Sequence, residues 1–301
     1  MANEKLIVCS FYKYVDLKKA VKDISKFQIK HKAFCKKVGI KGTILIGNEG
    51  INASISGTRE QITEYVAELR KLKVFDKVDF KETFANENPF NKLIVRIKKE
   101  IVGLGKFPDI SNTGKYLSPK KFNKFVEKKD VLIVDARNNY EHKIGKFENA
   151  LTFDIETFRE FPQVVSELEK HKDKKIVMYC TGGIRCEKAS AFLKENGFKN
   201  VYQLEGGIIN YINQYHESTD SKFKGRCFVF DERLSIPSAR TSEVITKCEQ
   251  CHIPCGDYIH CANTSCDELV IMCSECREKM NNTCSKECRN ELSRKAEKIA
   301  T

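Results

Sequence analysis

Residues 177–189 read VMYCTGGIRCEKA, an order with chemical consequences. Cys180 closes an apolar run and opens a loop made of Thr181, Gly182, Gly183, Ile184, Arg185 and Cys186. Adjacent glycines let successive backbone N–H groups turn toward one centre, and a helix N-terminus behind them adds partial positive charge. Such surroundings favour thiolate over thiol, and thiolate is the reactive form. Arg185 adds a fixed cation with a forked set of donors. The pattern predicts Cys180 as a nucleophile and Arg185 as its electrostatic partner, cradled by the rest of the loop. Cys186 reads either as a resolving thiol or as a packing residue. A Cys-x5-Arg ring would fit a phosphate. Here arginine comes one position early, and the smaller ring suits a sulfur or carbon centre better.

A second concentration of chemistry lies near the C-terminus, where nine cysteines fall between Cys248 and Cys288. Cys-x2-Cys pairs at Cys248/Cys251 and Cys273/Cys276 are the knuckles from which structural zinc sites are built. Two tetrahedral sets would use Cys248, Cys251, Cys261, Cys266, Cys273, Cys276, Cys284 and Cys288 and leave Cys255 spare. His252 and His260 could each replace a thiolate. One or two zinc ions are expected, and spacing does not say which cysteines share an ion. An iron–sulfur cluster would strand five cysteines, and disulfides fit a reducing compartment poorly. So small a segment buries little core, so metal would supply most of its folding free energy.

The elements that must position these groups suggest an α/β multidomain chain. KLIVCSFY reads as a buried strand, and the apolar spacing from Ala20 to Val38 as one helix ending at Gly39. Two strands flank a tight turn at Asn48 to Gly50, Thr58 caps a second helix, and FNKLIVRIKKEIV is the closing strand. This β-α-β-β-α-β order is the split βαβ, ferredoxin-like (acylphosphatase-like) pattern over residues 1–103. A linker at 104–120 is rich in Gly, Pro, Ser and Asn. Strands VLIVDAR, KKIVMYC and NVYQL alternate with helices over 121–216, the mark of a parallel sheet, with the helix after KKIVMYC beginning near Glu187. In such sheets ligands bind beyond the carboxyl ends of the strands, where Cys180 falls. A connector (217–246), the cysteine-rich segment (247–292) and a short tail (293–301) follow.

The 301 residues carry a net charge of +12, with +9 on residues 1–110 (22 Lys/Arg against 13 Asp/Glu). A basic first domain suggests a polyanionic partner, with Lys36, Lys37, Lys41 and Arg96 as candidate phosphate contacts. No apolar run approaches the ~20 residues of a spanning helix. No secretory signal is legible at the N-terminus either, so a cytoplasmic protein with no membrane partner is expected. Of the six histidines, His31, His142, His171 and His216 are expected at the surface. No Gly-x-Gly-x-x-Gly fingerprint occurs, so no flavin, haem or NAD site is expected.

VDARNNYEHKIGKFENA, CTGGIR and GFKNVYQLEGGI together resemble a rhodanese domain. The residues that carry the resemblance are Asp135, Arg137, Glu141, Gly145, Cys180, Gly197, Leu204, Gly206 and Gly207. His142 and Lys143 stand where the family usually has Gly-His. With EGINASISGT, EIVGLG, GRCFVFDERLSIP and the cysteine-rich tail, almost the whole chain is similar to the rhodanese-like tRNA uridine hydroxylases. That resemblance implies oxidation of a wobble uridine to 5-hydroxyuridine with molecular oxygen as co-substrate. It also implies tRNA, through its anticodon loop, as partner, and Cys180 as the catalytic residue, held as thiolate or persulfide. Two other readings share these residues: a sulfurtransferase carrying a persulfide on Cys180, and a non-catalytic zinc-stabilised RNA-binding adaptor.

Overall fold

The computed structural model describes residues 5–239 and 243–300. Residues 1–4 of the first segment, 240–242 of the connector and 301 of the tail lie outside the described residues. The chain forms two compact units, residues 1–138 with 151–214, and residues 139–150 with 215–301. Among the described residues no helix is long and apolar enough to cross a membrane.

The first unit begins with a five-stranded sheet. Strand Leu6–Tyr14 pairs antiparallel with Gly50–Gly57, which pairs antiparallel with Lys41–Gly47 across the turn at Asn48 and Glu49. Helices Ile24–Val38 and Arg59–Arg70 cover one face and bury Phe11, Ile44, Ile55, Ile62, Tyr65 and Leu69. Local chemistry accounts for the ends of these helices. Gly39 takes the left-handed conformation at the C-terminus of the first, and Thr58 forms a reciprocal capping box with Gln61 at the start of the second.

Three expectations for this region need correction. The single helix before Gly39 is two, Leu17–Val21 and Ile24–Val38, because Asp23 caps the second by accepting from the Lys26 N–H. The closing strand of the split βαβ pattern is the polar Lys81–Ala85, antiparallel to the first strand, while Leu93–Ile97 adds a fifth strand parallel to Lys41–Gly47 on the opposite edge. Lys81–Ala85 is half-exposed, so it lacks the apolar run that marks a buried strand. His31 is not at the surface: it is 6% exposed and bonds the Tyr65 hydroxyl at 2.9 Å, and burial lowers its pKa to about 4.

The same unit continues into a parallel sheet in the order Lys115–Leu117, Val201–Leu204, Lys175–Tyr179, Val131–Asp135. Helices Pro119–Phe125 and Ile184–Glu195 connect strands of this sheet, and Gly207–Tyr215 follows its last strand in the chain. Apolar residues from both the sheet and helix Ile184–Glu195 form its core, including Val134, Ile176, Met178, Ala189 and Leu193.

In the second unit, strands Ser235–Pro237, Phe223–Phe228 and Gly145–Phe147 make a small sheet. The cysteine-rich part adds a hairpin of Tyr258–His260 with Leu269–Ile271, then helices Ser274–Lys279 and Lys286–Ala300.

Candidate active site and cysteine tetrads

Cys180 follows the carboxyl end of strand Lys175–Tyr179. The helix behind it starts at Ile184, earlier than the expected start near Glu187, so Arg185 and Cys186 lie in its first turn. Gly183 precedes that turn at φ +98°, a conformation L side chains rarely adopt, and its N–H reaches the Cys180 sulfur at 3.1 Å. The loop is held from beneath by the glycine turn of the next crossover. Ile208 and Ile209 donate their N–H groups to the carbonyls of Cys180 and Thr181, each at 3.0 Å. A Cβ on Gly207 would lie 2.5 Å from the Cys180 carbonyl oxygen, so only glycine allows that approach. With its carbonyls engaged below, the loop turns its N–H groups toward the sulfur.

The electrostatics of Cys180 are a balance of opposed effects. Burial pushes its thiol up, while the Cys186 thiol donor, the Arg185 guanidinium and the N–H groups of Cys186 and Arg185 pull it down, to about 6. Cys186 goes the other way: burial and the neighbouring Cys180 hold it well above the ordinary thiol range. Arg185 is buried and donates to Thr181 Oγ1 at 3.2 Å. Cys180 itself has no exposed surface. Gly182 is the part of the loop facing open space, since a Cβ there would meet nothing within 4 Å. With the sulfur fully buried, its reaction with any substrate requires the loop to open.

Asp135 and Arg137 form a fully buried ion pair at 2.7 Å, and Tyr179 donates to Asp135 at 2.6 Å. Because Tyr179 immediately precedes Cys180, this pair anchors the strand end that presents the sulfur. Glu141 is buried in the second unit.

The first sheet supplies residues that motif reading does not find. Tyr12 donates to Glu187 at 2.7 Å, and Tyr116 and Gln203 converge on the same carboxylate. Lys188, 1% exposed, donates to Glu49 at 2.9 Å, Glu100 at 3.0 Å and the Val102 carbonyl at 3.1 Å. No sequence signal marks them: helix Ile184–Glu195 is buried from Arg185 through Ala191, which only the fold shows, and Glu187 and Lys188 therefore require partners. Lys188→Met would leave Glu49 without its cation and Glu100 with only the exposed Arg159 at 3.3 Å, and removing one partner of a buried pair costs about 3–5 kcal/mol. Urea unfolding should show that loss as a lower midpoint at unchanged slope.

Of the four candidate phosphate contacts, all are exposed. Arg96, Leu45, Asn52 and Tyr12 occupy one cross-strand row, and Lys41 shares that face four residues before Leu45. At ~4.8 Å per strand, Arg96 stands about 14 Å from Tyr12 along this row. Lys36 and Lys37 end the helix on the opposite face and do not join them.

In the second unit eight cysteines make two tetrads, Cys248, Cys251, Cys273 and Cys276, and Cys261, Cys266, Cys284 and Cys288. Within each, all four sulfurs lie within 4.8 Å of one another, and Cys255 belongs to neither. Neighbouring sulfurs sit 3.6 Å apart in Cys251–Cys273, Cys266–Cys284 and Cys284–Cys288. A tetrahedron with ~2.3 Å zinc–sulfur bonds has edges of about 3.8 Å, whereas a disulfide needs about 2.05 Å. Backbone N–H groups of Cys273 and Cys284 point at the sulfurs of Cys248 and Cys261, each at 3.4 Å, as thiolate ligands require. The donor set fits a tetrathiolate metal centre in each case.

Comparison with known proteins adds a consistent set of relatives. Residues 6–101 match a UPF0176 acylphosphatase-like domain, 118–214 a rhodanese-like domain and 224–289 a rhodanese C-terminal domain. A protein of Cytophaga hutchinsonii is 40% identical over 273 residues, covering 89% of this chain and 86% of its own. One from Legionella pneumophila is 45% identical over 234 residues (77% and 90%), and one from Bacillus licheniformis 40% over 287 (94% and 88%). Each of the three is named tRNA uridine(34) hydroxylase.

Proposed function

The chain belongs to the tRNA uridine(34) hydroxylase family, and from that premise we propose that it hydroxylates this tRNA uridine at C5 through a nucleophilic Cys180. The observation that supports this reading is the sulfur itself, held ionised near neutral pH by inward N–H groups and Arg185. Thiolate addition to C6 of the uracil forms a C–S bond and moves the C5–C6 π pair toward C5 and the C4 oxygen. Carbon 5 then carries the electron density that meets molecular oxygen. One oxygen atom remains on C5 and the other leaves as water, so two electrons and two protons come from a reductant such as a pair of thiols that become a disulfide. Elimination of Cys180 restores the ring double bond.

Uridine 34 lies in the anticodon loop, where bases can be turned outward and read singly. The sheet face bearing Tyr12, Arg96 and Lys41 provides cations along which the neighbouring phosphates would run. The tetrads would hold zinc as a structural ion that folds its segment. Their free thiols suit a reducing cytoplasm. Incubation with substrate tRNA under heavy-isotope oxygen should place one heavy atom in the product nucleoside. A product labelled from heavy water instead would remove the oxygen route.

A further inference from the structure

The amino-terminal sheet brings Tyr12 to the cysteine loop, and its strand neighbour Tyr14 carries a buried hydroxyl without a hydrogen-bond partner among the described residues. Tyr12 and Tyr14 alternate with core residue Phe11 and so share the uncovered face of their strand. Tyr12 fixes the position of that face, because its hydroxyl bonds Glu187 and would lie 3.0 Å from a Cβ on Gly183. The Tyr14 ring meets the Tyr12 ring edge-on at 6.1 Å. Its hydroxyl is buried and makes no hydrogen bond among the described residues.

The carboxylates around Tyr14 are already committed. Glu49 accepts from Lys188 and from the Ile101 N–H, Glu187 from Tyr12, Tyr116 and Gln203, and Glu100 from Lys188 and the Leu104 N–H. Burial first, then the charges of Glu49, Glu187, Cys180 and Glu100, keep the phenol protonated, so what it offers is an O–H donor. A buried polar group left unpaired destabilises the folded chain. Strain of this kind is tolerated where a ligand completes the bond.

Resting on the Cys180 reading above, we propose that Tyr14 is a catalytic residue whose O–H donates to the C4 oxygen of the target uridine. That oxygen gathers negative charge when Cys180 bonds to C6, and the hydrogen bond therefore strengthens as the adduct forms. The phenol shares its proton without giving it up, and the charge returns to the ring when the C–S bond breaks. A donor from the first domain and a nucleophile from the second would then act on the same base. Neither domain would be competent alone.

Tyr14→Phe removes only the unpaired hydroxyl. Single-turnover hydroxylation should fall on the order of a hundredfold, the scale of losing one oxyanion donor. Affinity for tRNA and the pH midpoint for Cys180 alkylation should stay where they are in wild type. Thermal stability should be unchanged or slightly raised, because an unsatisfied buried group has been deleted. A tRNA with 4-thiouridine at position 34, a poorer acceptor, should slow wild type more than Tyr14→Phe, exposing the coupling as a double-mutant cycle does. Wild-type rates in the variant, or independent losses that simply multiply, overturn the proposal. So does a variant that unfolds or loses tRNA affinity in step with its rate, for the hydroxyl would then be structural. Retention of hydroxylation by Cys180→Ser would instead sink the underlying reading, whatever Tyr14→Phe does.

Discussion

Cys180→Ser should abolish hydroxyuridine formation while leaving the fold and tRNA binding in place. Loss of a nucleophile acting with its partners costs on the order of a thousandfold or more in turnover, because the remaining groups have nothing to assist. A serine hydroxyl keeps nearly the same volume in a fully buried site, so packing is preserved. The result also separates competing readings. An adaptor would be indifferent to the change, whereas a sulfurtransferase would lose thiosulfate-dependent transfer in wild-type comparison without ever having made hydroxyuridine. The pH dependence has a definite direction. With the thiol brought down to about 6, the thiolate is present above that value and lost below it, so the rate should be half-maximal near pH 6 and fall tenfold per pH unit beneath. By linkage the ionised sulfur contributes stability in full only above its unfolded value of 9.0, and that contribution is lost as pH falls through about 6. Arg185→Ala removes one of the groups that lower it, so the acidic limb should move upward. A limb that stays put would deny Arg185 its electrostatic role.

Removing metal should unfold the cysteine-rich segment, and both sites should fail together. Structural zinc contributes apparent free energies of about 10–16 kcal/mol in small domains, far more than the short hairpin and two helices here could replace. The tetrads interleave along the chain: Cys248 and Cys251 join Cys273 and Cys276 across the pair Cys261 and Cys266, which in turn joins Cys284 and Cys288. The hairpin Tyr258–His260 with Leu269–Ile271 lies within the first closed loop, and its second strand lies within the second loop as well. Cys276→Ser should therefore lower bound metal from two ions per chain to fewer than one, and make residues beyond Lys247 susceptible to brief proteolysis. Cys255→Ser should keep both ions, since Cys255 stands outside each tetrad. Elemental analysis of the purified protein checks the stoichiometry, and a metal-free chain with an undisturbed segment would refute the account.

Local chemistry made much of this protein legible in advance. A cap such as Thr58, a left-handed stop such as Gly39, and a turn at Asn48 and Glu49 are decided by a few neighbouring residues, so sequence shows them. The loop from Cys180 to Cys186 is legible for the same reason: its glycines, its cysteine and its arginine sit within seven positions. The strand Lys81–Ala85 was hidden because its half-exposed pattern carries little apolar signal, and His31 was misplaced because only packing against Tyr65 reveals that it is buried.

What tertiary structure alone decided is the company these groups keep. Tyr14 stands 166 positions before Cys180, Glu49 139 positions before Lys188, and no periodicity relates them. Their meeting follows from how one sheet packs on a helix that buries Glu187 and Lys188, a consequence of burial over the whole unit. The sharing of sulfurs is likewise a matter of closure in space: successive cysteine pairs along the chain join alternately because the intervening hairpin folds back.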